Sequence, residues 1–362
     1  MIKLYEPKIY KEDIELVKKT LEEGWISGNS PIVKDFENKL KEFNDVEHCL
    51  VTSSGTTALH LALLGCGLKK DDEVIMPTLS YIATANAVSY FGGKPIFVDV
   101  NKNDFQINIE KIEEKITEKT KAIMPVHLYG GVPNLDSIEE IAKKYNLKII
   151  HDSAEALGSL YKDKQSASFR DVGIISFFPN KVITTGEGGA ILTNNKSIYD
   201  LSLKLRSQGL VENTDYIHDV IGYNYRISAL SAALGYNQIN KVSSHVKVKA
   251  KIFNTYKSEL ESYNISFQSS DKEVSPSYWL TVALFPEKID IDEIQKFLKN
   301  EKIETRRVFY PLHLQTPYLG NEEKNLEISE EIYRSGLCLP TYPDLAENDL
   351  SYIIEKIQKF VS

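Results

Sequence analysis

The 362-residue chain is 42% hydrophobic and 10% aromatic, enough to bury a large core in two lobes. Its formal net charge of −8, without a basic domain or long basic run, argues against a nucleic-acid binder. Cys49, Cys66 and Cys338 lack metal-like spacing, the N-terminus has no apolar signal core, and no apolar run approaches membrane-spanning length. A cytoplasmic protein with buried thiols, no metal and no membrane partner is therefore expected.

In chain order, residues 10–23 read as a charged helix ending near Gly24. Ser30-Pro31 opens a second helix through Phe43, with serine as cap and proline at the first helical position, where its missing N–H does no harm. Its apolar side carries Val33, Phe36, Leu40 and Phe43. Ser53-Ser54-Gly55-Thr56-Thr57 comes next, before the apolar run Ala58–Leu64. Small hydroxyl residues and a glycine here predict a helix start whose free amides and positive dipole end take a phosphate, although an ordinary N-cap uses the same letters.

Strands and helices then alternate. Glu73–Met76 reads as a strand with its exit at Pro77–Ser80, Ile82–Phe91 as a helix, Pro95–Val100 as a strand and Ile109–Ile116 as a helix. Ala122–Val126 reads as a strand ending in His127-Leu128-Tyr129-Gly130, followed by a helix to Tyr145 capped by Asp136 with Glu139. Tyr81, at a strand exit, is placed either to stack on a ligand ring or to be buried at a helix start. This alternation predicts an α/β fold with a mostly parallel sheet covered on both faces. No glycine-rich dinucleotide fingerprint follows any of these strands, which argues against a nicotinamide enzyme.

Leu147–Ile150 is an apolar run that delivers His151-Asp152 to the carboxyl end of a strand, where ligands bind in parallel sheets. A helix cap is the other reading of Asp152. From Gly173 to Thr193 the chain reads GIISFFPNKVITTGEGGAILT, as strand, turn and strand with Lys181 on the turn. A desolvated lysine there attacks carbonyls and forms a Schiff base; a solvated one is a surface charge. Pyridoxal phosphate is the cofactor that wants both groups, its aldehyde taking the lysine and its ring nitrogen the carboxylate. Further on, Leu201–Arg206 reads as a helix and Ser228–Tyr263 as a long helical stretch bridging to a small lobe. That lobe offers strand Trp279–Phe285, helix Ile291–Lys299, strands Arg307–Tyr310 and Leu337–Leu339, and a last helix from Asn348. The expected division is residues 1–240 and 241–362.

The segments SSGTTALHLAL, MPTLSYIATANAV, PIFVDV, HLYG, HDSAEALGS, SFFPNKVITTGEGGAI, GYNYRIS and VFYPLH, in this order over nearly the whole chain, resemble the DegT/DnrJ/EryC1/StrS family of nucleotide-sugar aminotransferases. The resemblance implies a fold type I architecture, with a smaller C-terminal α+β domain, and pyridoxal 5′-phosphate as cofactor with pyridoxamine 5′-phosphate as its intermediate form. It implies Lys181 as the Schiff-base lysine and proton shuttle, Asp152 on the pyridinium nitrogen, Tyr81 on the ring and Glu155 near the cofactor hydroxyl. Gly55, Thr56 and Ser176 would hold the phosphate. Asn224 resembles an asparagine reaching the phosphate from a neighbouring subunit, which implies a homodimer with shared active sites. Arg306, Tyr310 and His313 resemble substrate-facing positions; a structural ion pair for Arg306 and a satisfied core imidazole for His313 are the other readings.

The spellings ITTGEGG, HDVIGYNYR and IETR-x-VFYPLH resemble most the branch that aminates GDP-4-keto-6-deoxymannose with L-glutamate as donor. Arg307, Pro179 and His151 depart from that branch, so a dTDP- or UDP-linked 4-keto or 3-keto sugar or a small keto substrate stays open. A lysine at position 181 favours transamination over the sugar dehydration of histidine-bearing relatives.

Overall fold

A computed structural model describes residues 1–212, 214–320 and 325–362. In chain order it contains α1 (Lys11–Glu23), α2 (Pro31–Asn44), β1 (His48–Thr52), α3 (Gly55–Gly65), β2 (Glu73–Pro77), α4 (Ala83–Tyr90), β3 (Lys94–Val98), β4 (Thr120–Ile123), α5 (Leu135–Tyr145) and β5 (Lys148–Asp152). These are followed by β6 (Leu160–Tyr161), β7 (Lys164–Gln165), β8 (Val172–Ser176), β9 (Gly189–Thr193), α6 (Lys196–Arg206), α7 (Ala229–Gln238) and α8 (Val242–Leu260). The remainder forms β10 (Ser266–Phe267), β11 (Val274–Ser275), β12 (Thr281–Leu284), α9 (Ile291–Asn300), β13 (Arg306–Arg307), α10 (Glu327–Ser335), β14 (Gly336–Leu339) and α11 (Glu347–Val361).

Seven strands form the main sheet in the order β1-β9-β8-β5-β4-β2-β3. Only β9 runs against the rest, antiparallel to both β1 and β8. The expected α/β sheet, mostly parallel, is therefore present. Side chains alternate between its faces. On β8 and β9, Ile174 and Ile191 join α3 and α6 on one face, while Ile175, Ala190 and Leu192 join α2 on the other. On β2 and β5, Met76 and Ile150 share the α3 face, and Ile75 and Ile149 pack against Ile138 and Ile141 of α5. Strands buried on both sides read as continuous apolar runs. Because β1, β2, β5 and β8 run in one direction, their carboxyl ends converge, bringing Ser53, Thr78, Asp152 and Ser176 to one edge.

A second sheet, β10-β12-β14-β13, is antiparallel throughout. Ala283, Leu337 and Leu339 face α8, α9 and α11, whereas Val282 and Cys338 turn inward toward Tyr129 and Trp279. Arg306 is in register with inward-facing Cys338 and Arg307 with outward-facing Leu337. The two adjacent arginines thereby face opposite ways, and Arg307 reaches Asp292 on α9 at 2.7 Å. The expected division at residue 240 falls in the 3₁₀ turn Ile239–Lys241 between α7 and α8. We propose that turn as the lobe boundary.

Three local expectations are corrected. Ile109–Ile116 is two 3₁₀ turns, Ile109–Lys111 and Glu113–Lys115, because the three-residue spacing of Ile109 and Ile112 suits that tighter winding as well as a helix. The cap of α5 is Asn134, whose Oδ1 accepts from Ser137 N–H at 3.0 Å, not Asp136. The stretch after Ser228 is broken at Ile239–Lys241 into α7 and α8. Among the described residues no helix is long and apolar enough to cross a membrane, and no group of side chains is arranged to hold a metal.

One buried ion pair ties the outer helices to the sheet. Arg206, at the end of α6, donates from Nη1 to Glu37 Oε1 on α2 at 3.0 Å and to Val51 O on β1 at 2.7 Å. Arg206→Met is expected to cost about 3 kcal/mol, because a buried carboxylate loses its partner. Lys34, 3.3 Å from Glu37 Oε2, keeps the loss at the lower end of such cases. Urea unfolding measures it; a loss below about 0.5 kcal/mol, ordinary for surface positions, would overturn it.

Candidate active site

At the convergent strand ends lies a cavity of about 390 Å³, closed from the second sheet by Trp279, Arg306 and Phe309. Gly55, Thr56, Tyr81, Asp152, Glu155, Ser176, Lys181 and Arg306 all line it. Eight residues from Gly55 to Arg306, far apart in the chain, thus share one space.

The cradle forms where β1 turns into α3. Ser54 Oγ accepts from Thr57 N–H at 3.1 Å and Thr57 Oγ1 accepts from Ser54 N–H at 3.0 Å, a reciprocal cap. The amides of Gly55 and Thr56, which have no acceptor within the helix, are left at the cavity. A Cβ on Gly55 would lie 2.9 Å from Ser176 Cβ, so glycine is what lets α3 begin against β8. Any larger residue would fill the cradle.

Asp152 ends β5 and is buried. Its Oδ2 accepts from Thr84 Oγ1 at 2.7 Å and its Oδ1 from Ala154 N–H at 3.2 Å. Burial raises its pKa above the usual carboxylate value, opposed by those two hydrogen bonds and by the charge of Lys181. Lys181 stands on the turn after β8 with its side chain only 12% exposed, its Nζ 3.5 Å from Glu155 Oε1 and 4.0 Å from the centroid of the Trp279 ring. Burial lowers its pKa, while the carboxylates of Glu155 and Asp152 pull it back up. Glu155 is also raised by burial, and its Oε2 accepts from Tyr129 N–H at 2.9 Å. Tyr129 holds φ at +55°, a left-handed backbone that a non-glycine residue rarely adopts. Two buried carboxylates and a buried amine therefore share one wall of the cavity, an arrangement suited to moving protons.

The sequence pointed to three residues that do not line this cavity. Asn224 is exposed, and its backbone is bridged to Ser207. Tyr310 is turned outward onto Tyr333, ring centroids 5.0 Å apart. His313 sits in the 3₁₀ turn Leu312–Leu314, which folds it back on Thr78 Oγ1 at 2.7 Å from Nδ1. Conversely, Trp279, Phe309 and Tyr129 were read as strand and turn residues, yet their rings stack within 6.3 Å of one another beside Lys181. The turn spelling HLYG was the available signal for Tyr129. Nothing local marked Trp279, because its place depends on how the second sheet packs on the first.

The residues present fit pyridoxal phosphate. A cradle that only glycine can floor, a buried carboxylate and a buried amine face the same space. The Arg306 guanidinium beside them has Nε and Nη2 buried and, among the described residues, without a hydrogen-bond partner, as befits a group that meets an anion.

Known proteins agree with this reading. Residues 7–358 match the DegT/DnrJ/EryC1/StrS aminotransferase family. A GDP-perosamine synthase of Escherichia coli O157:H7 is 42% identical over 361 residues, covering 100% of this chain and 99% of that protein. A GDP-perosamine synthase of Vibrio cholerae is 35% identical, with 99% of each covered. The solved structure of a putative sugar aminotransferase from Streptococcus pneumoniae in its PMP form superposes with a TM-score of 0.92 at 27% identity, covering 98% of this chain and 96% of that one.

Proposed function

The chain belongs to the DegT/DnrJ/EryC1/StrS aminotransferase family, and on that premise we propose that it moves an amino group from L-glutamate to C4 of GDP-4-keto-6-deoxymannose, giving GDP-perosamine. The observation that carries the reaction class is the single cavity onto which Lys181, Asp152 and the α3 cradle all open. Likeness to GDP-perosamine synthases over the whole length supports the nucleotide and the sugar.

When bound, pyridoxal phosphate supplies a carbonyl that takes up the donor amine and a ring that stabilises negative charge on the neighbouring carbon. Gly55 and Thr56, through their amides, and Ser176, through its hydroxyl, would hold the phosphate. With the cofactor bound, Asp152 would hold a proton on its ring nitrogen and Tyr81 would lie against the ring. Glu155 would accept from the cofactor hydroxyl, and at 3.5 Å it keeps Lys181 Nζ aimed into the cavity. Lys181 Nζ is the acid and base: burial lowers its pKa, so a larger share is neutral amine, ready to take a proton from the donor α-carbon and return one to the carbon being aminated. Arg306 meets the anionic part of a substrate. Tyr310 and His313 would act at the rim.

We read the working enzyme as a cytoplasmic homodimer in which Asn224 of one subunit completes the phosphate site of the other. Exposed Tyr216, Ile217, Val220 and Ile221 gather on the segment that carries Asn224, an apolar surface that a second subunit would cover.

Absorbance of the purified enzyme with bound cofactor tests the proposal. Excess L-glutamate should bleach the cofactor's visible band, and GDP-4-keto-6-deoxymannose, added after the glutamate is removed, should restore it with release of an amino sugar. Bleaching without restoration would overturn the sugar assignment; no response to glutamate would overturn the donor.

A further inference from the structure

Lys249, on α8, has no part in the reaction described above, yet it is only 2% exposed and, among the described residues, has no carboxylate partner. Its Nζ donates to Thr341 O at 2.7 Å and to Trp279 O at 3.1 Å. Leucine or methionine would fill the same volume without burying an ammonium. What they could not do is bond two buried carbonyls at once.

The carbonyl of Trp279 is an informative one to hold. Segment Ser277–Trp279 touches both members of the Lys181–Glu155 pair. Ser277 Oγ donates to Glu155 O at 3.2 Å. Trp279 Nε1 donates to Asn180 O, the residue before Lys181, at 2.6 Å, and the indole ring lies under Lys181 Nζ. Between them Tyr278 sits at φ +51°, a left-handed backbone that relaxes unless its neighbours hold it. At the other acceptor, Thr341 Oγ1 takes Thr281 N–H at 3.0 Å, and Thr341 N–H donates to Leu4 O at 3.1 Å. Lys249 thus joins α8, the entrance to β12, the exit from β14 and the N-terminal segment at one point behind the reactive amine.

We propose that Lys249 is a positioning residue for Lys181: by fixing the Trp279 carbonyl it holds the Ser277–Trp279 segment as the floor that sets the Lys181–Glu155 geometry. Burial brings its own pKa down to about 7, in keeping with an amine held by neutral carbonyls alone. His245, on the same helix, bonds Val182 O and Tyr10 instead, and Lys8, Glu6 and Tyr342 line the far side of the small cleft there. The proposal rests on Lys181 being the reactive amine.

The two tryptophans provide the test, because Trp25 is 54% exposed and Trp279 is 1% exposed. In a Trp25→Phe background, Trp279 is the sole indole, readable in cofactor-free protein. Lys249→Met should shift its emission to longer wavelength and raise acrylamide quenching at least about twofold. In the holoenzyme kcat should fall about 10-fold or more with the KM for L-glutamate within about twofold, since a slight misplacement of a reacting group costs rate. Lys249→Gln, which keeps a donor, should recover part of both signals. Should Lys249→Met not fold, Lys249→Gln against the parent gives the same comparison. Unchanged Trp279 emission and quenching, or a glutamine variant no better than methionine, would overturn the proposal. If Trp279 responds but Lys181→Ala retains turnover, the assignment of Lys181 fails instead.

Discussion

Lys181→Ala is expected to lose at least about 10⁴-fold in kcat while the protein stays folded, because one side chain supplies both the amine that engages the cofactor and the group that moves the proton, and positioned proton transfer alone contributes about 10²–10⁴. The fold has little stake in this side chain. Its backbone N–H bonds Phe178 O at 2.9 Å whatever the side chain, and Nζ makes no bond to a distant main-chain group among the described residues. The lysine's folded pKa is lowered by burial, so protonation is disfavoured in the native state and Lys181 opposes folding increasingly as pH falls through that pKa. Removing it lifts that penalty. Glu155 loses a cationic neighbour at the same time, which pushes its already raised pKa further up. The two effects oppose each other, and the thermal midpoint should stay within about 4 °C, the shift from roughly 1 kcal/mol in a chain of this size. Single-turnover amino transfer at the parental rate in folded Lys181→Ala would remove Lys181 from the mechanism.

What the sequence could reveal follows from which forces are local. The helix start at Gly55 was readable because its hydroxyl cap and its glycine are neighbours in the chain. Asp152 was readable because an apolar run followed by a polar residue marks where a buried strand ends. The helix expected at Ile109–Ile116 was misread because isoleucines three apart suit two kinds of winding. Arg306 reaches the cavity through strand register: β14 places Cys338 inward, and Arg306 opposite it must follow. No periodicity within a two-residue strand discloses that. The seating of His313 on Thr78, 235 positions away in the chain, and the turn of Tyr310 onto Tyr333 are equally tertiary outcomes. Lys249 shows the limit most plainly, because its helix carries lysines at 247, 249 and 251 and only packing decides which is buried.

Asp152→Asn is expected to lower kcat by about 10³-fold without harming the fold, a combination that separates charge from shape. Asparagine matches the aspartate in size. Its Oδ1 can still accept from Ala154 N–H, and its amide can donate to Thr84 Oγ1, whose own hydrogen can turn to Ser80 Oγ, 2.8 Å away. The missing charge is what matters: a neutral amide does not hold a proton on the cofactor's ring nitrogen, and charge stabilisation of this kind contributes about 10²–10³. Stability should move the opposite way. The folded pKa of Asp152 is raised, mainly by burial, so its contribution to stability is fully present below the unfolded pKa of about 3.9 and is lost as pH rises through the folded value. At neutral pH the parent carries that buried charge and the asparagine variant does not. Asp152→Asn should therefore be at least as stable as the parent at pH 7, with the difference shrinking as pH falls into the carboxylate range. Denaturant midpoints at several pH values measure this directly. A variant markedly less stable at pH 7 would mean that the carboxylate has a structural partner beyond Thr84 and Ala154, and a kcat within about twofold of the parent's would take Asp152 off the ring nitrogen.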